Sequence, residues 1–581
     1  MTAIRHVSRV VRAVVRPIQA SVGAQATSTT AAVATAYYMV CSGKRAFASV
    51  ESPPELRLVA GTQYRGHPVA EVQQTAGRER LVVLGSGWGA VAVLKTLKAD
   101  AYDVVAVSPT NYFLFTPLLP STTVGTIEFR SVMESMRRIV SRLRGSYLEA
   151  AAEDVDLDAK RVLVEHAGAS RVWVPYDRLV VGVGAQSTTH GAEGLEHCHR
   201  LKTVQDARAI RQHIMANFER AMLPTTAIDE KRRQLTFVVC GGGPTGCEFA
   251  AELHDLLAED LRRFYPQSVR DLVKIVIIQS CDHILNMMDS VISEFAERQF
   301  GRRGITVVTN SLVQSISETA VRYTTRAPDG TASEHEIPQG FVLWSAGVSL
   351  TPFTRLLCDK LPAVQQNCHA ITVDDCLRVK GVPDGSVYAL GDCATIENPQ
   401  LIARVSELFD AAHAEGARII TRDELTAFVR TATAEYPPAA RHLQSLVHDF
   451  DKFDIDGSGS VDRSEFGAML RHADSQLTAL PALAQVANQE GIYLGRALNT
   501  LAASTGPALP FSYHHRGTLA YLGRAAAADF GRGRVFKGSN LAAKYLWRSV
   551  YWSQQVSLRT RFLLMVDWVK ELLFGRDISR F

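Results

Sequence analysis

Two glycine-rich turns have the residue types and spacing that bind the phosphates of a nucleotide. The first contains Gly85, Gly87, Gly89 and Ala90, and the second contains Gly241, Gly243, Pro244 and Gly246. Glycines let the backbone approach a pyrophosphate, and a helix starting at the turn offers free N–H groups and the positive end of its dipole. One such turn is weak evidence, since many α/β domains contain tight turns. Two of them predict two dinucleotide sites.

The surrounding residues predict the elements that position these turns. Apolar runs Leu81–Leu84 and Phe237–Cys240 precede the turns, helix-prone stretches follow, and a further apolar run, Val104–Val107, fits the next strand of the first unit. That strand ends at Ser108, where a dinucleotide fold normally has an Asp or Glu that binds the ribose. A resident and an exchanging nucleotide are expected, and the obvious pair is a flavin and a nicotinamide.

Two later motifs suggest the order of the domains. Gly391-Asp392 follows an apolar strand and resembles the late FAD segment of two-dinucleotide flavoproteins, in which the Asp contacts the ribityl–phosphate region. Trp344–Gly347 resembles the motif that closes their inserted NAD(P) domain, so Gly347 is a candidate cofactor-binding residue. We therefore expect an α/β fold with two Rossmann-like domains: FAD-binding residues 80–229, NAD(P)H-binding residues 230–360 and a return to the FAD domain in residues 361–400.

Charge is unevenly distributed along the 581 residues, whose formal net charge is +4. Residues 1–50 contain six basic residues and no acidic one, with four arginines on one side of a predicted helix and valines on the other. This composition is typical of a mitochondrial transit peptide; a disordered basic tail and a plastid signal are the alternatives. Residues 51–79 are predicted to be a linker. The remainder is nearly neutral, which suggests no nucleic-acid partner, and no apolar run is long enough to span a bilayer.

The nine cysteines include no C-x-x-C or C-x₄-C spacing, and residues 91–140 contain none. A flavoprotein disulfide reductase needs two neighbouring thiols after its first nucleotide turn. The sequence therefore argues against disulfide reduction and against a cysteine metal finger.

Residues 401–480 differ in composition and contain a complete twelve-residue EF-hand loop, residues 454–465. Its calcium-ligand positions are occupied by Asp454, Asp456, Ser458, Ser460 (through its carbonyl), Asp462 and Glu465. EF-hands usually occur in pairs, and the pattern around residues 408–424 resembles a mate whose loop has lost its carboxylates. We expect that mate to pack without binding calcium.

Two further stretches have a less specific meaning. Gln485 and Gln489 are four residues apart and share one helix face, where neutral amides could hydrogen-bond the carbonyl oxygens of a flavin, although two surface glutamines are the simpler interpretation. Arg130–Arg144 is predicted to be an exposed basic helix, and a solvated face is the simplest explanation of its charge.

Several motifs together resemble mitochondrial type II (alternative, rotenone-insensitive) NAD(P)H:ubiquinone oxidoreductases, and the EF-hand insert resembles the calcium-dependent external enzymes of plants. The resemblance covers roughly residues 80–581. It rests on Phe113–Pro120, Gly241–Leu253, Ile284–Met288, Gly391-Asp392, Ala484–Gly491 and Phe574–Phe581.

The resemblance implies a non-covalent FAD that accepts hydride from NAD(P)H and reduces ubiquinone without pumping protons. It implies that Gln485 and Gln489 line the quinone end of the flavin, that Glu248 lies near the nicotinamide, and that Thr116 belongs to the cofactor site. Residues 481–535 would form the FAD/quinone segment. A homodimer and attachment to the intermembrane-space face of the mitochondrial inner membrane are also implied.

One departure from the family bears on the electron donor. In NADH-specific members the second strand of the nicotinamide domain ends in Glu, which bonds the adenosine ribose, whereas here it ends in Gln279. A carboxylate would repel the 2′-phosphate of NADPH and an amide would not. We therefore expect the protein to accept NADPH.

The C-terminal segment, residues 536–581, is predicted to anchor the protein on a membrane surface. From Leu558 onward, Phe562, Met565, Val569 and Leu572 share one side of a helix, with Asp567, Lys570 and Glu571 opposite. Such a helix lies in the membrane interface rather than across it; dimerisation or core packing is the alternative.

Two other functions remain open from the sequence. A sulfide:quinone reductase shares the fold but needs cysteines near the flavin, for which Cys368 or Cys393 are the candidates. A non-catalytic calcium-sensing flavoprotein that binds NAD(P)H for signalling would show no turnover with quinone.

Overall fold

The computed structural model describes residues 55–579 except for short gaps. The gaps are residues 60–62, 66, 74–76, 167, 169, 189–190, 328, 368, 398–404, 413–418, 436–445, 448, 455, 477–479, 505, 507–508, 524, 531–534 and 539–540. The predicted transit peptide, residues 1–50, lies outside the described residues.

Nine strands form two parallel sheets. In chain order they are β1 (Arg80–Leu84), β2 (Asp103–Ser108), β3 (Ser146–Glu149), β4 (Arg178–Val181), β5 (Thr236–Cys240), β6 (Lys274–Ile278), β7 (Ile305–Val308), β8 (Phe341–Trp344) and β9 (Val387–Ala389). The first sheet has the order β9-β4-β1-β2-β3 and the second the order β7-β6-β5-β8. The Val, Ile and Leu side chains of the central strands are buried on both faces, as is typical of parallel sheets, and some of those of the edge strands β3 and β7 are partly exposed. The structure thus contains the two predicted strand–turn–helix units.

Several helices are labelled in a separate series. They are α1 (Trp88–Thr96), α2 (Met136–Ser141), α3 (Val204–Met222), α4 (Pro244–Asp255), α5 (Ser290–Arg302), α6 (Val405–Ala412), α7 (Arg422–Glu435), α8 (Arg463–Gln476), α9 (Ala484–Ala502), α10 (Leu541–Ser553) and α11 (Leu558–Phe574). Further helices span Leu119–Thr122, Ile228–Gln234, Arg262–Phe264, Gln267–Arg270, Pro352–Asp359 and Phe450–Phe453.

The remaining larger sheets are mixed or antiparallel. The described part of the predicted linker, residues 51–79, contributes Leu58–Val59 and Ala70–Val72 to a five-stranded sheet with Ala151–Asp156, Arg161–His166 and Ser170–Pro175. A second sheet consists of the strands Ser311–Ile316, Ala320–Arg326 and Ala332–Pro338. A third consists of the strands Thr518–Tyr521, Ala526–Asp529 and Val535–Gly538. Strand pairing with distant residues does not show in local periodicity, so the sequence did not predict these strands.

Residues 405–476 have an apolar cluster of their own, separate from the main core. Phe409, Phe428, Phe466, Met469 and Leu470 are among its buried side chains. Two short antiparallel strands, Ile419–Thr421 and Ser460–Asp462, join its two helix–loop–helix halves, with Ile420 opposite Val461. The insert therefore has the internal pairing expected of two related halves.

Helix α11 turns its charged side towards the protein. Asp567 accepts hydrogen bonds from the Ser131 hydroxyl at 2.5 Å and the Glu128 N–H at 3.0 Å. Glu571 pairs with Arg548 at 2.7 Å. The side chains left exposed are mostly apolar: Leu558, Phe562, Val566, Val569, Leu572, Leu573 and Phe574. Within the described ranges, no helix has the length and apolar character needed to cross a bilayer.

Helices α1 and α9 approach each other through glycines. A Cβ atom on Gly491 would lie 2.3 Å from the Gly89 carbonyl oxygen and 2.6 Å from the Ala92 Cβ. A Cβ on Gly495 would lie 2.7 Å from the Thr96 Cβ. The close contact places α9, which carries Gln485 and Gln489, directly against the helix that follows the first glycine turn.

We expect Gly491→Ala to destabilise the protein by about 1–3 kcal/mol, because the added methyl group clashes with the Gly89 backbone, which cannot yield like a flexible side chain. Thermal unfolding and retained flavin measure the effect. Gly301→Ala is the matched control, since a Cβ there meets nothing within 4 Å and alanine favours a helix by up to about 1 kcal/mol. Equal unfolding midpoints for the two variants would contradict the expectation.

Candidate functional site

The first glycine turn presents an open helix N-terminus. Gly85 has φ +113°, and a Cβ there would lie 2.1 Å from the Gly182 carbonyl oxygen, so only glycine fits. Gly87 is the N-cap of α1, no side chain caps the helix, and a Cβ on Gly87 would meet nothing within 4 Å. Ala90 is fully buried behind the turn. The free N–H groups of α1 thus face space that suits an anionic pyrophosphate.

Three hydroxyl groups gather at the end of β2. Ser108 donates to the Ser86 hydroxyl at 2.9 Å, and the Thr110 hydroxyl lies 2.9 Å from that of Ser86. Sequence reasoning identified Ser108 and missed the other two, whose only signal was their position beside the turn and the strand end. The cluster offers neutral partners where a ribose-binding carboxylate is usual.

Gly391-Asp392 lies next to this turn and is held by an unpredicted residue. The Glu490 carboxylate on α9 accepts the Gly391 N–H at 2.6 Å, and Gly391 has φ +74°. Burial raises the pKa of Glu490 to about 7, and burial also raises the pKa of Asp392, which Lys202 partly counteracts. No hydrogen-bond donor in the described part of the chain contacts the Asp392 carboxylate, so it is available to a polyol or ribose hydroxyl.

The second glycine turn has the same backbone features as the first. Gly241 has φ +111°, Gly243 is the N-cap of α4 without a side-chain cap, and Pro244 is the first helical residue. A Cβ on Gly243 would meet nothing within 4 Å, whereas one on Gly246 would lie 2.1 Å from the Gly241 carbonyl oxygen. Here too the helix N-terminus is open.

The loop after β8 closes this second turn. The Ser345 hydroxyl lies 3.0 Å from the Gly241 carbonyl oxygen and donates to it. Gly347, which follows, has φ +67°. The predicted Trp344–Gly347 motif is therefore in contact with the turn, and Ser345 is a contact residue that the sequence did not single out.

Gln279 lies directly after β6, as expected, but its amide is engaged with the turn. Its Oε1 accepts the Gly242 N–H at 2.9 Å and its Nε2 donates to the His283 carbonyl oxygen at 3.3 Å. The strand end is therefore neutral. A carboxylate at this position could keep the first bond and would lose the second.

A cavity of about 590 Å³ lies between the two turns and the C-terminal segment. Its lining includes Trp88, Thr116, Pro117, Pro244, Thr245, Glu248, Gln485, Asn488, Arg516, Gly517, Leu546, Trp547, Val550, Tyr551 and Gln554. The Trp88 indole donates to the Thr116 hydroxyl at 3.0 Å and packs on Phe113 and Phe115. Residues from four distant parts of the chain thus share one apolar, partly aromatic space.

Glu248 is the buried acid of this cavity. Its carboxylate accepts the backbone N–H of Tyr521 at 3.1 Å. Burial raises the pKa of Glu248 to about 8, and the neighbouring Glu252 acts in the same direction. Glu248 therefore carries a proton at neutral pH.

The two predicted glutamines fasten one segment, residues 513–517. The Gln485 oxygen accepts the Arg516 N–H at 2.8 Å and the Tyr513 hydroxyl at 2.9 Å, and its amide donates to the Gly517 carbonyl oxygen. Gln489 exchanges two hydrogen bonds with the His514 backbone. Gln485 lines the cavity, whereas Gln489 lies outside its lining.

Three of the six candidate calcium ligands converge. Carboxylate oxygens of Asp454, Asp456 and Glu465 all lie within 4.8 Å of one another. Asp454 accepts N–H bonds from Ser458 and Gly459. Asp462 instead accepts the Glu465 N–H at 2.8 Å as a helix cap, and the Ser458 hydroxyl donates to the Ser460 carbonyl oxygen.

Comparison with known proteins identifies relatives that cover most of the chain. The pyridine nucleotide-disulphide oxidoreductase family matches residues 79–416, and the NDH2 C-terminal domain matches residues 515–577. The chain is 41% identical over 541 residues to the mitochondrial external alternative NAD(P)H-ubiquinone oxidoreductase B1 of Solanum tuberosum, covering 88% of this chain and 92% of that protein.

Solved structures show the same fold. NDH2 of Plasmodium falciparum in complex with NADH superposes with a TM-score of 0.76 at 27% identity, covering 87% of this chain and 100% of that one. The sulfide:quinone oxidoreductase of Aquifex aeolicus has a TM-score of 0.55 at 17% identity, covering 86% of this chain and 96% of that one. The second comparison shows likeness of fold alone.

We expect Glu248→Gln to stabilise the protein increasingly as pH rises. The folded protein keeps a proton on Glu248 up to about pH 8, whereas the unfolded chain releases it near pH 4, so wild-type stability falls between these values by up to about 1.4 kcal/mol per pH unit. Thermal midpoints of both proteins from pH 5 to 9 measure this. A constant difference between them would show that Glu248 does not titrate in this window.

Proposed function

Because the chain belongs to the external alternative NAD(P)H-ubiquinone oxidoreductases of the type II class, we propose that it oxidises NAD(P)H through FAD and reduces ubiquinone. One observation carries the proposal. A single cavity touches the first turn through Trp88, the second through Pro244 and Glu248, and helix α9 through Gln485. A donor, a resident ring and an acceptor can therefore meet there.

The residues around the first turn fit a flavin dinucleotide. The uncapped N-terminus of α1 would hold the pyrophosphate, the Ser108 hydroxyl cluster would hold the ribose, and Asp392 would accept from the ribityl chain. When bound, FAD supplies reversible two-electron chemistry. The second turn, α4 and Gln279 would hold the nicotinamide dinucleotide in the same manner.

The chain's own groups have distinct tasks in this proposal. Aromatic side chains of Trp88, Trp547 and Tyr551 exclude water from the cavity. Glu248 holds a proton beside the donor's position at neutral pH, so it adds no charge to a site that must accept hydride. Gln485 and Gln489 fix residues 513–517 at the quinone side, and their direct contact with a flavin or quinone stays a prediction.

Sulfide oxidation is the less favoured alternative. The Cys393 thiol is fully buried and donates to the carbonyl oxygens of Leu390 and Val181, and burial raises its pKa to about 12. Such a thiol is a poor nucleophile. Cys368 lies outside the described residues. A purely signalling flavoprotein would make no use of a cavity that joins both nucleotide turns.

We expect steady-state oxidation of NADPH as well as NADH by a short-chain ubiquinone. Gln279→Glu should lower the NADPH/NADH ratio of kcat/KM by about tenfold or more, since a carboxylate repels the 2′-phosphate at a cost of at least about 1.4 kcal/mol. Gln267→Glu, an exposed change of equal charge in the same domain, is the control. An unchanged ratio would refute the role of Gln279, and no turnover with either donor would refute the function.

We further propose that the insert is an EF-hand pair with one calcium site. Support comes from the convergent carboxylates of Asp454, Asp456 and Glu465 and from the strand pairing of Ile420 with Val461. The opposite loop, residues 413–418, lies outside the described residues.

Calcium should bind this loop with a dissociation constant of about 10⁻⁷–10⁻⁵ M, the range of EF-hand sensors. Glu465→Gln should weaken binding at least about tenfold because it removes a charged ligand. Asp423→Asn, in the mate, should leave it unchanged. Calorimetry measures binding, and quinone reductase rates with calcium or chelator measure regulation. Absence of saturable binding to the wild type would contradict the proposal.

We infer that the exposed apolar side of α11 docks on a membrane. Its charged residues are engaged with the protein, and Leu572, Leu573 and Phe574 are 72%, 66% and 81% exposed. We propose that this surface docks on the intermembrane-space side of the mitochondrial inner membrane; the words external and mitochondrial in the names of the relatives support this side. The alternative is that a second copy of the chain covers the same face in a homodimer.

Replacing Leu572 and Leu573 together by Ser should release the protein from neutral liposomes and preserve NAD(P)H:ferricyanide activity, because both side chains are exposed and neither lines the cavity. Leu509→Ser, at another exposed leucine, is the control for lost apolar area. Flotation measures membrane binding, and sedimentation measures oligomeric state. A variant that loses a dimer but still floats with liposomes would show that the face is a subunit interface.

A further inference from the structure

A basic pocket forms where the sequence predicted a continuous basic helix. Residues 130–144 instead divide into the 3₁₀ turn Phe129–Ser131, the strand Met133–Ser135 and helix α2. This division places Arg130, Arg137 and Arg138 around a cavity of about 320 Å³. Arg559, from the first turn of α11, is the fourth arginine of the lining.

The pocket is positively charged because, of the residues that the structure describes, four arginines and only one carboxylate, Glu134, line it. Both Glu134 oxygens have partners within the protein: Arg138 Nη1 donates to Oε1 at 3.3 Å, and the Ser557 hydroxyl donates to Oε2. Among the described residues, no second carboxylate lines the pocket. Glu149, just outside it, accepts from Asn111. Four guanidinium groups thus face one neutralising charge.

Neutral groups position two of these arginines. Arg559 donates to the Arg130 and Met133 carbonyl oxygens at 3.5 and 3.1 Å. Arg137 lies over the Tyr147 ring, 5.3 Å from its centroid. Contacts with carbonyl oxygens and an aromatic ring orient the guanidinium groups without cancelling their charge, so they remain free to bind an anion.

The pocket borders the apolar side of α11. Leu558 and Phe562, which flank Arg559 on that helix, are 52% and 40% exposed. Asp567 fastens the same helix to Glu128 and Ser131, next to Arg130. The pocket and the apolar surface are therefore parts of one face. The pocket shares no lining residue with the cavity between the glycine turns.

We propose that this pocket binds the phosphate of an acidic phospholipid headgroup when α11 docks on a membrane. Guanidinium groups form paired, charge-assisted hydrogen bonds with phosphate oxygens, and juxtamembrane basic residues attract anionic lipids. The apolar residues beside Arg559 select a lipid over a soluble phosphate, because only a lipid places its acyl chains against them. The inference rests on the membrane docking proposed above.

The test compares flotation of the FAD-loaded full chain with two kinds of vesicle. One is pure phosphatidylcholine, and the other contains about one part phosphatidylglycerol to four parts phosphatidylcholine. Wild type should bind the acidic vesicles at least about tenfold more tightly. The double variant Arg130→Gln, Arg137→Gln should lose most of that preference and bind neutral vesicles as wild type does. Quinone-independent NAD(P)H:ferricyanide rates check that it is folded.

The control removes equal charge elsewhere. Arg302→Gln with Arg326→Gln changes two exposed arginines of the second glycine-turn unit and should retain the preference for acidic vesicles. If both double variants lost the preference for acidic vesicles equally, net charge alone would explain that preference, and the proposed role of the pocket would be wrong. Binding that ignores lipid charge would overturn the pocket and leave docking intact.

Two further outcomes decide whether the pocket binds a lipid or a soluble anion, and whether the protein docks on a membrane. Calorimetric binding of inorganic phosphate as tight as binding to acidic vesicles would assign the pocket to a soluble anion and overturn the lipid proposal. Failure of wild type to float with either vesicle would overturn membrane docking together with the inference that rests on it.

Discussion

The buried guanidinium of Arg576 is the contact on which the C-terminal part of the structure depends. Its side chain is 1% exposed and pairs with Asp260 at 2.7 Å and Glu259 at 2.9 Å, donates to the Thr126 hydroxyl, and lies 3.9 Å from Glu252. Removing one partner from a buried cluster of this kind typically costs about 3–5 kcal/mol, because the remaining charge is left without compensation. One residue near the chain end thus joins the C-terminal helices to the helix that carries Glu248.

This attachment explains why α11 exposes apolar side chains. Its carboxylates, Asp567 and Glu571, are used in contacts with the protein, so the leucines and phenylalanines of the opposite side have no internal place. In an ordinary surface helix the apolar stripe faces the core. The reversed orientation, together with the arginine pocket beside it, gives the molecule a face that combines apolar area with positive charge. That combination suits a membrane surface.

The cavity is likewise a product of several distant contacts. Helices α1 and α9 touch through glycines, the two glutamines of α9 fasten residues 513–517, and α10 covers the space with Trp547 and Tyr551. Each contact satisfies a backbone or steric requirement. Residues that the sequence predicted to act on a cofactor or substrate therefore also stabilise the fold. Gln279 is a further instance, because its amide satisfies the buried Gly242 N–H.

The sequence by itself determined the two glycine turns, the parallel strands around them, the pairing pattern of the insert and the apolar stripe of the last helix. These features follow from backbone conformation and local periodicity, which neighbouring residues set. Only the tertiary structure decided that Glu490 holds Gly391, that Ser86 and Thr110 join Ser108, that residues 55–79 contribute strands, and that Arg559 meets Arg130. These partners are far apart in the chain or depend on where a helix breaks, and their burial, which sets their energies and protonation, exists only after the chain has packed.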